Sequence, residues 1–342
     1  MESRTCRTGR GVFTTALVFP GATIAQVDAG HVYDARRALA SPYCREIDVG
    51  AAADVEDDPY AVLCLFLYLF VYTADEELLR DEPATLALYR KVLLADRSSC
   101  ALDWSVEEVD LLAGSHLHAV AVDLRRTCDA TVEKVRGWLS RSGVGRAGTG
   151  EEERRLRRCI SVLLTRLVRL DDGNVALVPG LDLFNHASEA KTFITGTRDA
   201  VRVVNRDGFL GAGRQVSISY GERTSGELLV SYGFLPDAGE NPHDGVLVPF
   251  DDDVVVVGAD GGVRIRDGPG DRWDVEGRVR DELKVRVRAQ YAKIKERLGG
   301  GGDGGDGGDG GDEAGALGET IGRLMKREML MLSRTLLAMS DF

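Results

Sequence analysis

The chain has 342 residues, 44% of them hydrophobic, and a formal net charge of -12. That length suits about two domains with packed cores. The acidic balance speaks against a general nucleic-acid binder, which needs a basic face for phosphates, and favours attraction of a basic partner segment. The six cysteines, Cys6, Cys44, Cys64, Cys100, Cys128 and Cys159, are widely separated with no Cys-x-x-Cys. Neither a zinc site nor a disulfide framework is expected from such spacing, and the thiols read as reduced.

Met1 to Arg10 is polar and shows no secretory signal pattern. Gly11-Val-Phe-Thr-Thr15 and Thr23-Ile-Ala-Gln-Val27 have strand character. From about Pro59 to Arg141 the pattern is helical. It includes the apolar run Ala61 to Tyr72, too short to span a bilayer and predicted to be a buried helix. Ser105 and Glu108 form a capping box ahead of Val109, Leu111 and Leu112. Gly143 to Gly150 is a glycine-rich break. Glu151 to Leu170 predicts an amphipathic helix with Leu156, Ile160, Leu163, Leu164 and Leu167 on one stripe. Arg166 borders that stripe, and Arg154 and Arg158 fall on the open face.

Asp171-Asp-Gly173 is a turn signal, and strand-like segments follow at Phe193-Ile-Thr195 and Val201-Arg-Val-Val204. Val216, Ile218 and Tyr220 alternate with Ser217 and Ser219, the period of a half-buried strand. Glu227 to Ser231 reads as one or two helical turns. Val246 to Val248 and Val254 to Val257 read as strands, and Trp273 to Leu298 as a charged helix. The Gly-Gly-Asp tract from Gly299 to Gly311 lacks the recurring apolar residue of a calcium-binding roll and reads as a flexible acidic linker. Leu317 to Met339 predicts an amphipathic helix that packs back on Trp273–Leu298.

Three motifs stand out: Val178-Pro-Gly-Leu-Asp-Leu-Phe-Asn-His186, Val216-Ser-Ile-Ser-Tyr-Gly221 and Glu227-Leu-Leu-Val-Ser-Tyr-Gly-Phe234. Taken one at a time, each has a plain structural reading. Tyr220 could simply end a strand, His186 hold a turn, Arg166 stay solvated and Tyr232 pack in a core. In this order, however, they resemble the C-terminal half of a SET methyltransferase domain. The subfamily they resemble is the Rubisco large-subunit lysine methyltransferase-like enzymes, with the related actin-histidine methyltransferase branch. Gly9-Arg-Gly11 is similar to that family's N-terminal Gly-x-Gly. Trp104-Ser-x-Glu-Glu108 with Leu112-Ala-Gly114 resembles its Trp-Ser-x-Glu-Glu and Leu-x-Gly, and Thr165-Arg166 its Ser/Thr-Arg element.

The resemblance covers roughly residues 8 to 250 and implies an α+β, SET-type fold: small β-sheets, a threaded loop, a helical insert and a mainly helical C-terminal domain. It implies a SET domain at 1–236, interrupted at about 59–150. A substrate-binding-like domain would then occupy 237–342, with the Gly-Gly-Asp linker at 299–312. The implied cofactor is S-adenosyl-L-methionine, with no metal. Gly9, Gly11, Arg166, Asp182, Leu183, Phe184, Asn185 and His186 would line the donor, Arg166 by reaching its methionine carboxylate. Tyr220 would be catalytic and would contact substrate together with Asp182 and Tyr232.

The implied activity is methyl transfer to a lysine of a protein substrate. Alternatives are histidine as acceptor on the same fold, or a catalytically inactive SET-like binding module. A poor match to the family between residues 30 and 58 and two departures favour the last. Phe13 stands where the actin-histidine branch has an arginine, and Ser225 where the family usually has an asparagine. Ser225 would still cap the next helical turn. A monomer is expected that binds neither nucleic acid nor membrane. Its expected compartment is the cytoplasm or nucleus, or the chloroplast if the N-terminus is incomplete.

Overall fold

The computed structural model describes residues 2–6, 9–50, 58–74, 84–96, 99–144, 150–250, 253–259, 262–265, 278–299 and 312–339. The strands are β1 (Glu2–Cys6), β2 (Gly9–Phe13), β3 (Thr23–Asp28), β4 (Val168–Arg169), β5 (Val175–Ala176), β6 (Asn185–His186), β7 (Thr192–Thr197), β8 (Ala200–Asn205), β9 (Gln215–Ile218), β10 (Gly245–Phe250), β11 (Asp253–Gly258) and β12 (Val263–Ile265). The α-helices are α1 (Ala35–Ala40), α2 (Pro59–Tyr68), α3 (Ala84–Leu94), α4 (Val106–Asp110), α5 (His116–Arg141), α6 (Gly150–Arg166), α7 (Ser225–Tyr232), α8 (Arg278–Gly299) and α9 (Asp312–Ala338). The Gly-Gly-Asp tract after Gly299, the start of the Trp273 helix and most of the Gly143–Gly150 break lie outside the described residues. Contacts group the chain into two compact units, Met1–Ser98 with Thr127–Gly221, and Ser99–Arg126 with Glu222–Phe342.

In the first unit the strands order as β1-β2-β9-β7-β8-β3, and β6 adds to β9. The alternation read at Val216 and Ile218 is real. Both point into a core with Val12, Val201, Val203, Phe184 and Leu181. Burial of such residues, at about 25 cal/mol per Å² of apolar surface, holds the register, because a one-residue slip would turn this face to water. Strand β1 was missed: Glu-Ser-Arg-Thr-Cys has no apolar alternation, and its pairing with β2 is what makes it a strand. The apolar run at Ala61 is α2, closed by a π-turn over Leu69–Thr73, and every residue from Ala61 to Val71 is buried. Among the described residues no helix is long and apolar enough to cross a membrane.

Helix α6 stops at Arg166, four residues short of the expectation. Val168–Arg169 instead pairs with Val175–Ala176 across the Asp171-Asp-Gly173 turn. The side chain of Asp171 decides this. Its Oδ2 accepts from Thr195 Oγ1 at 2.7 Å and from the Gly196 amide at 2.8 Å, contacts that a continuing helix could not make. The expected stripe is displaced as well. Leu156 and Leu163 are buried with Cys159 and Val162, whereas Ile160, Leu164 and Leu167 are only half-buried.

The second unit places the β10-β11-β12 sheet and helices α8 and α9 around one core. Val246, Val248, Val255, Val257, Leu283, Val287, Ile294, Ile321, Leu324 and Leu332 share it, so the last helix does pack on the one before it. The Ser105–Glu108 capping box is formed. At α7, Thr224 is the cap and not Ser225: Thr224 Oγ1 accepts from the Glu227 amide at 3.2 Å, and Glu227 Oε2 accepts from the Thr224 amide at 2.8 Å. Ser225 is the first helical residue and is wholly buried. Its amide donates to Asp244 Oδ1 at 3.1 Å, and its hydroxyl accepts from the Asn241 carboxamide at 3.3 Å. Asn241, sixteen residues further along the chain, thus stands beside Ser225. Gly233 ends the helix at φ 77°, and a Cβ there would lie 1.6 Å from the Ser99 carbonyl oxygen, so the glycine of Tyr-Gly-Phe is required by the backbone.

One carboxyl in this core is out of place. Glu328 on α9 is 2% exposed, and its Oε2 has no hydrogen-bond partner. Burial pushes its pKa up to about 7, against a hydrogen bond with Ser115 and reinforced by the charge of Asp244. A carboxyl raised in the folded state binds its proton more tightly there than in the unfolded chain. Its contribution is therefore complete below the ordinary glutamate range and is lost as pH rises through 7. Glu328→Gln is expected to abolish this decline, stabilising the protein by on the order of 3 kcal/mol at about pH 8 and little at about pH 4. Urea unfolding at the two pH values measures it, and equal effects at both would rule the assignment out.

Candidate donor and transfer site

The site is built where β6 lies parallel to β9. Asn185 registers with Ser217 and His186 with Ile218, while β7 joins the same strand in parallel at Thr192. A loop feeding a two-residue strand that pairs in parallel with β9 places the Asn-His pair directly beside the end of β9, from which Tyr220 emerges. The Tyr220 amide donates to His186 Nδ1 at 3.1 Å, and the two rings lie 5.2 Å apart at 43°. Because a backbone N–H can only donate, Nδ1 carries the lone pair. The imidazole proton then sits on Nε2, where it donates to Ser188 Oγ at 3.2 Å. His186 is thus a neutral clamp on the strand end. The Tyr220 hydroxyl donates to the Phe184 carbonyl at 2.8 Å. Gly221, at φ 102°, turns the chain away immediately afterwards.

On the other side, Asn185 Nδ2 donates to the Arg10 carbonyl at 3.0 Å, the residue between Gly9 and Gly11 on β2. Strand β2 in turn pairs with β9 through Val12 and Val216. The Gly-x-Gly, the Asn-His pair, Phe184 and Tyr220 are therefore neighbours in space although they span two hundred residues. Leu183 packs half-buried on the same core.

Behind this loop runs a buried charged chain. Asp182, whose side chain is 0% exposed, accepts from the Gly180 amide at 2.9 Å on Oδ1. Its Oδ2 accepts from Tyr89 Oη and from Arg166 Nη1, both at 3.0 Å. Arg166 Nη1 also donates to the Asp182 carbonyl at 3.2 Å, and Nη2 to Asp96 Oδ1 at 2.9 Å. Arg158 closes the chain with Nη2 on Asp96 Oδ2 at 3.0 Å and on the Asp96 carbonyl at 3.1 Å. Arg158 is thus drawn inward rather than lying on an open face. Burial pushes the carboxyl of Asp182 above the usual range, partly offset by Arg166. Burial alone would lower Arg166, but Asp182 and Asp96 outweigh it and hold the guanidinium above its ordinary value. Every group that meets Asp182 is a donor, so the carboxylate form fits the site and the pair is ionic.

Tyr89, Asp96 and Arg158 were absent from the sequence-derived candidates. No local signal in the sequence singles out any of the three. Tyr232 belongs to the second unit, half-buried at the end of α7 with its ring 6.5 Å from Phe234.

Solved structures match the chain over most of its length. The SET domain of LSMT bound to lysine and AdoHcy matches with a TM-score of 0.67 and 16% identity, over 99% of this chain and 86% of that one. Rubisco LSMT bound to AdoMet matches with 0.65 and 15%, over 99% and 87%. This chain has the SET fold. Rubisco LSMT bound to sinefungin and monomethyllysine gives the same picture, at 0.65 and 16% identity. By sequence the chain matches no family model and no curated protein. At this identity the SET fold is carried by packing and a handful of motif residues.

The residues present fit a donor bearing a carboxylate. Arg166 Nε is buried with no hydrogen-bond partner, an orphan donor on a guanidinium whose two terminal nitrogens are already engaged. An unpaired buried N–H costs about 1–3 kcal/mol, and an anionic oxygen would relieve it.

Proposed function

We propose that the protein is an S-adenosyl-L-methionine-dependent protein methyltransferase acting on a lysine ε-amine. One observation carries this reading. In a SET fold, the phenol of Tyr220 and the imidazole of His186 are locked together at the end of β9, with the Tyr220 hydroxyl on the Phe184 carbonyl at 2.8 Å.

The donor, when bound, supplies an electrophilic methyl on a sulfonium and needs no metal. Gly9, Gly11, Leu183, Phe184, Asn185 and His186 would hold it, and Arg166 Nε would donate to its carboxylate. What remains for the chain is to orient and desolvate the amine. A free lysine, with a pKa near 10.4, is neutral in about one molecule per thousand, so deprotonation costs about 4 kcal/mol. A dry site next to positive charge lowers that cost. With its hydrogen committed to the Phe184 carbonyl, the Tyr220 oxygen presents only lone pairs. It therefore accepts an N–H of the amine and turns the nitrogen lone pair toward the methyl.

The test is a labelled-donor assay on cell extract, followed by mass spectrometry of the labelled protein. Label on lysine is the expected result. Label on histidine would replace the acceptor, and calorimetry showing no binding of S-adenosyl-L-methionine would leave a SET-like binding module.

A further inference from the structure

We propose that Tyr89 and Asp96 are positioning residues for the Asn-His loop, which makes α3 a lever on donor affinity. The inference rests on the donor site proposed above but is tested partly without it.

Asp182 is the hinge of the argument. It lies three residues before Asn185, on the short 3-10 turn Leu181–Leu183 that delivers the chain into β6. Its carboxylate has three donors, and two of them come from elsewhere in the fold: Arg166 from α6 and Tyr89 from α3. Tyr89 is 5% exposed, and its phenol has burial and the Asp182 charge as the largest causes of a strongly raised pKa. It therefore stays a neutral, permanent donor. Asp96 sits just beyond the end of α3, its side chain 7% exposed, and divides its two oxygens between Arg158 and Arg166. The order Arg158–Asp96–Arg166–Asp182–Tyr89 alternates acceptor and donor without a gap. The rotamer of Arg166 is set from α3 through Asp96, and that of Asp182 from α3 through Tyr89. Since Arg166 Nη1 also holds the Asp182 carbonyl at 3.2 Å, both the side chain and the backbone of the loop are tied to this network.

If the network serves only to stabilise the core, loosening any part of α3 should have the same consequence. If it positions the loop, the effect of removing one hydroxyl should appear at residues 184–187. Their amides include Phe184 on the Leu181 carbonyl and Ala187 on the Ile218 carbonyl.

The experiment compares Tyr89→Phe, which keeps the ring, and Asp96→Asn with Leu86→Val, a core truncation on the same helix. Amide hydrogen exchange is read at 184–187 in the free full chain, and donor affinity by calorimetry with S-adenosyl-L-methionine. Exchange at those amides is expected to quicken about 10-fold in Tyr89→Phe and Asp96→Asn and to stay within about 2-fold in Leu86→Val. The donor dissociation constant should rise about 5- to 10-fold in the first two only, with kcat at saturating donor little changed. Unchanged exchange in Tyr89→Phe, or an equal rise in Leu86→Val, overturns the proposal. A wild-type protein that binds no donor but shows the selective exchange effect overturns the donor-site reading and leaves the positioning role standing.

Discussion

Tyr220→Phe is expected to lower kcat by about 100-fold or more while changing the donor dissociation constant by less than about 3-fold. Loss of one preorganised contact made at the reacting atoms costs about that much in kcat. The structure predicts this separation because the Tyr220 groups do different work. Its amide clamps His186 and its ring packs on the β9 core, and both survive the substitution. Only the hydroxyl is lost, with its hydrogen bond to the Phe184 carbonyl. That bond contributes about 1 kcal/mol to stability, so the variant should fold. Transfer rates under single-turnover conditions with labelled donor, beside calorimetry, separate the two effects. A variant that transfers at the wild-type rate would remove Tyr220 from the chemistry, and one that neither binds donor nor transfers would make it a structural clamp.

The two Tyr-Gly motifs and the Asn-His pair were legible in the sequence for a physical reason. A threaded strand of two residues, a phenol at a strand end and a turn at positive φ each leave a short local signature. Gly221 at φ 102° and Gly233 at φ 77° are examples in which the glycine reports the backbone directly. The alternation in β9, the capping box at Ser105 and the apolar run in α2 are likewise local. What stayed hidden is the non-local part. Nothing around Tyr89 or Asp96 marks them, because their role comes from donors and acceptors supplied by α6 and by the loop after Gly180. The end of α6 was misread for the same reason: helical spacing continues to Leu170, but Asp171 is held by Thr195 and Gly196 on β7. The cap of α7 was misassigned by one position. Thr224 and Ser225 are both good cap residues, and only the reciprocal bond with Glu227 chooses between them.

Arg166→Ala is expected to be the most destabilising single change in the first unit. The guanidinium faces two carboxylates, Asp96 at 7% and Asp182 at 0% side-chain exposure, and its removal leaves both with too few donors in a dry environment. Breaking a buried ion pair from one side costs about 3–5 kcal/mol, here a fall in Tm on the order of 10 °C. The pH dependence identifies the cause. Burial already pushes Asp182 upward in the native protein, and loss of Arg166 removes the main positive charge that opposes it. In the variant Asp182 takes a proton more readily when folded than when unfolded. The deficit is therefore greatest near neutral pH and shrinks as the solution is acidified through its raised pKa. Adding Asp182→Asn to Arg166→Ala should recover part of the loss at neutral pH, because one of the stranded charges is gone while Tyr89 still has an oxygen to bond. Thermal melts of the wild type, the single variant and the double variant, each at about pH 5 and about pH 7.5, decide the matter. A deficit independent of pH would mean that Arg166 acts through packing of its apolar stem, and the buried charge network would then be secondary to the fold.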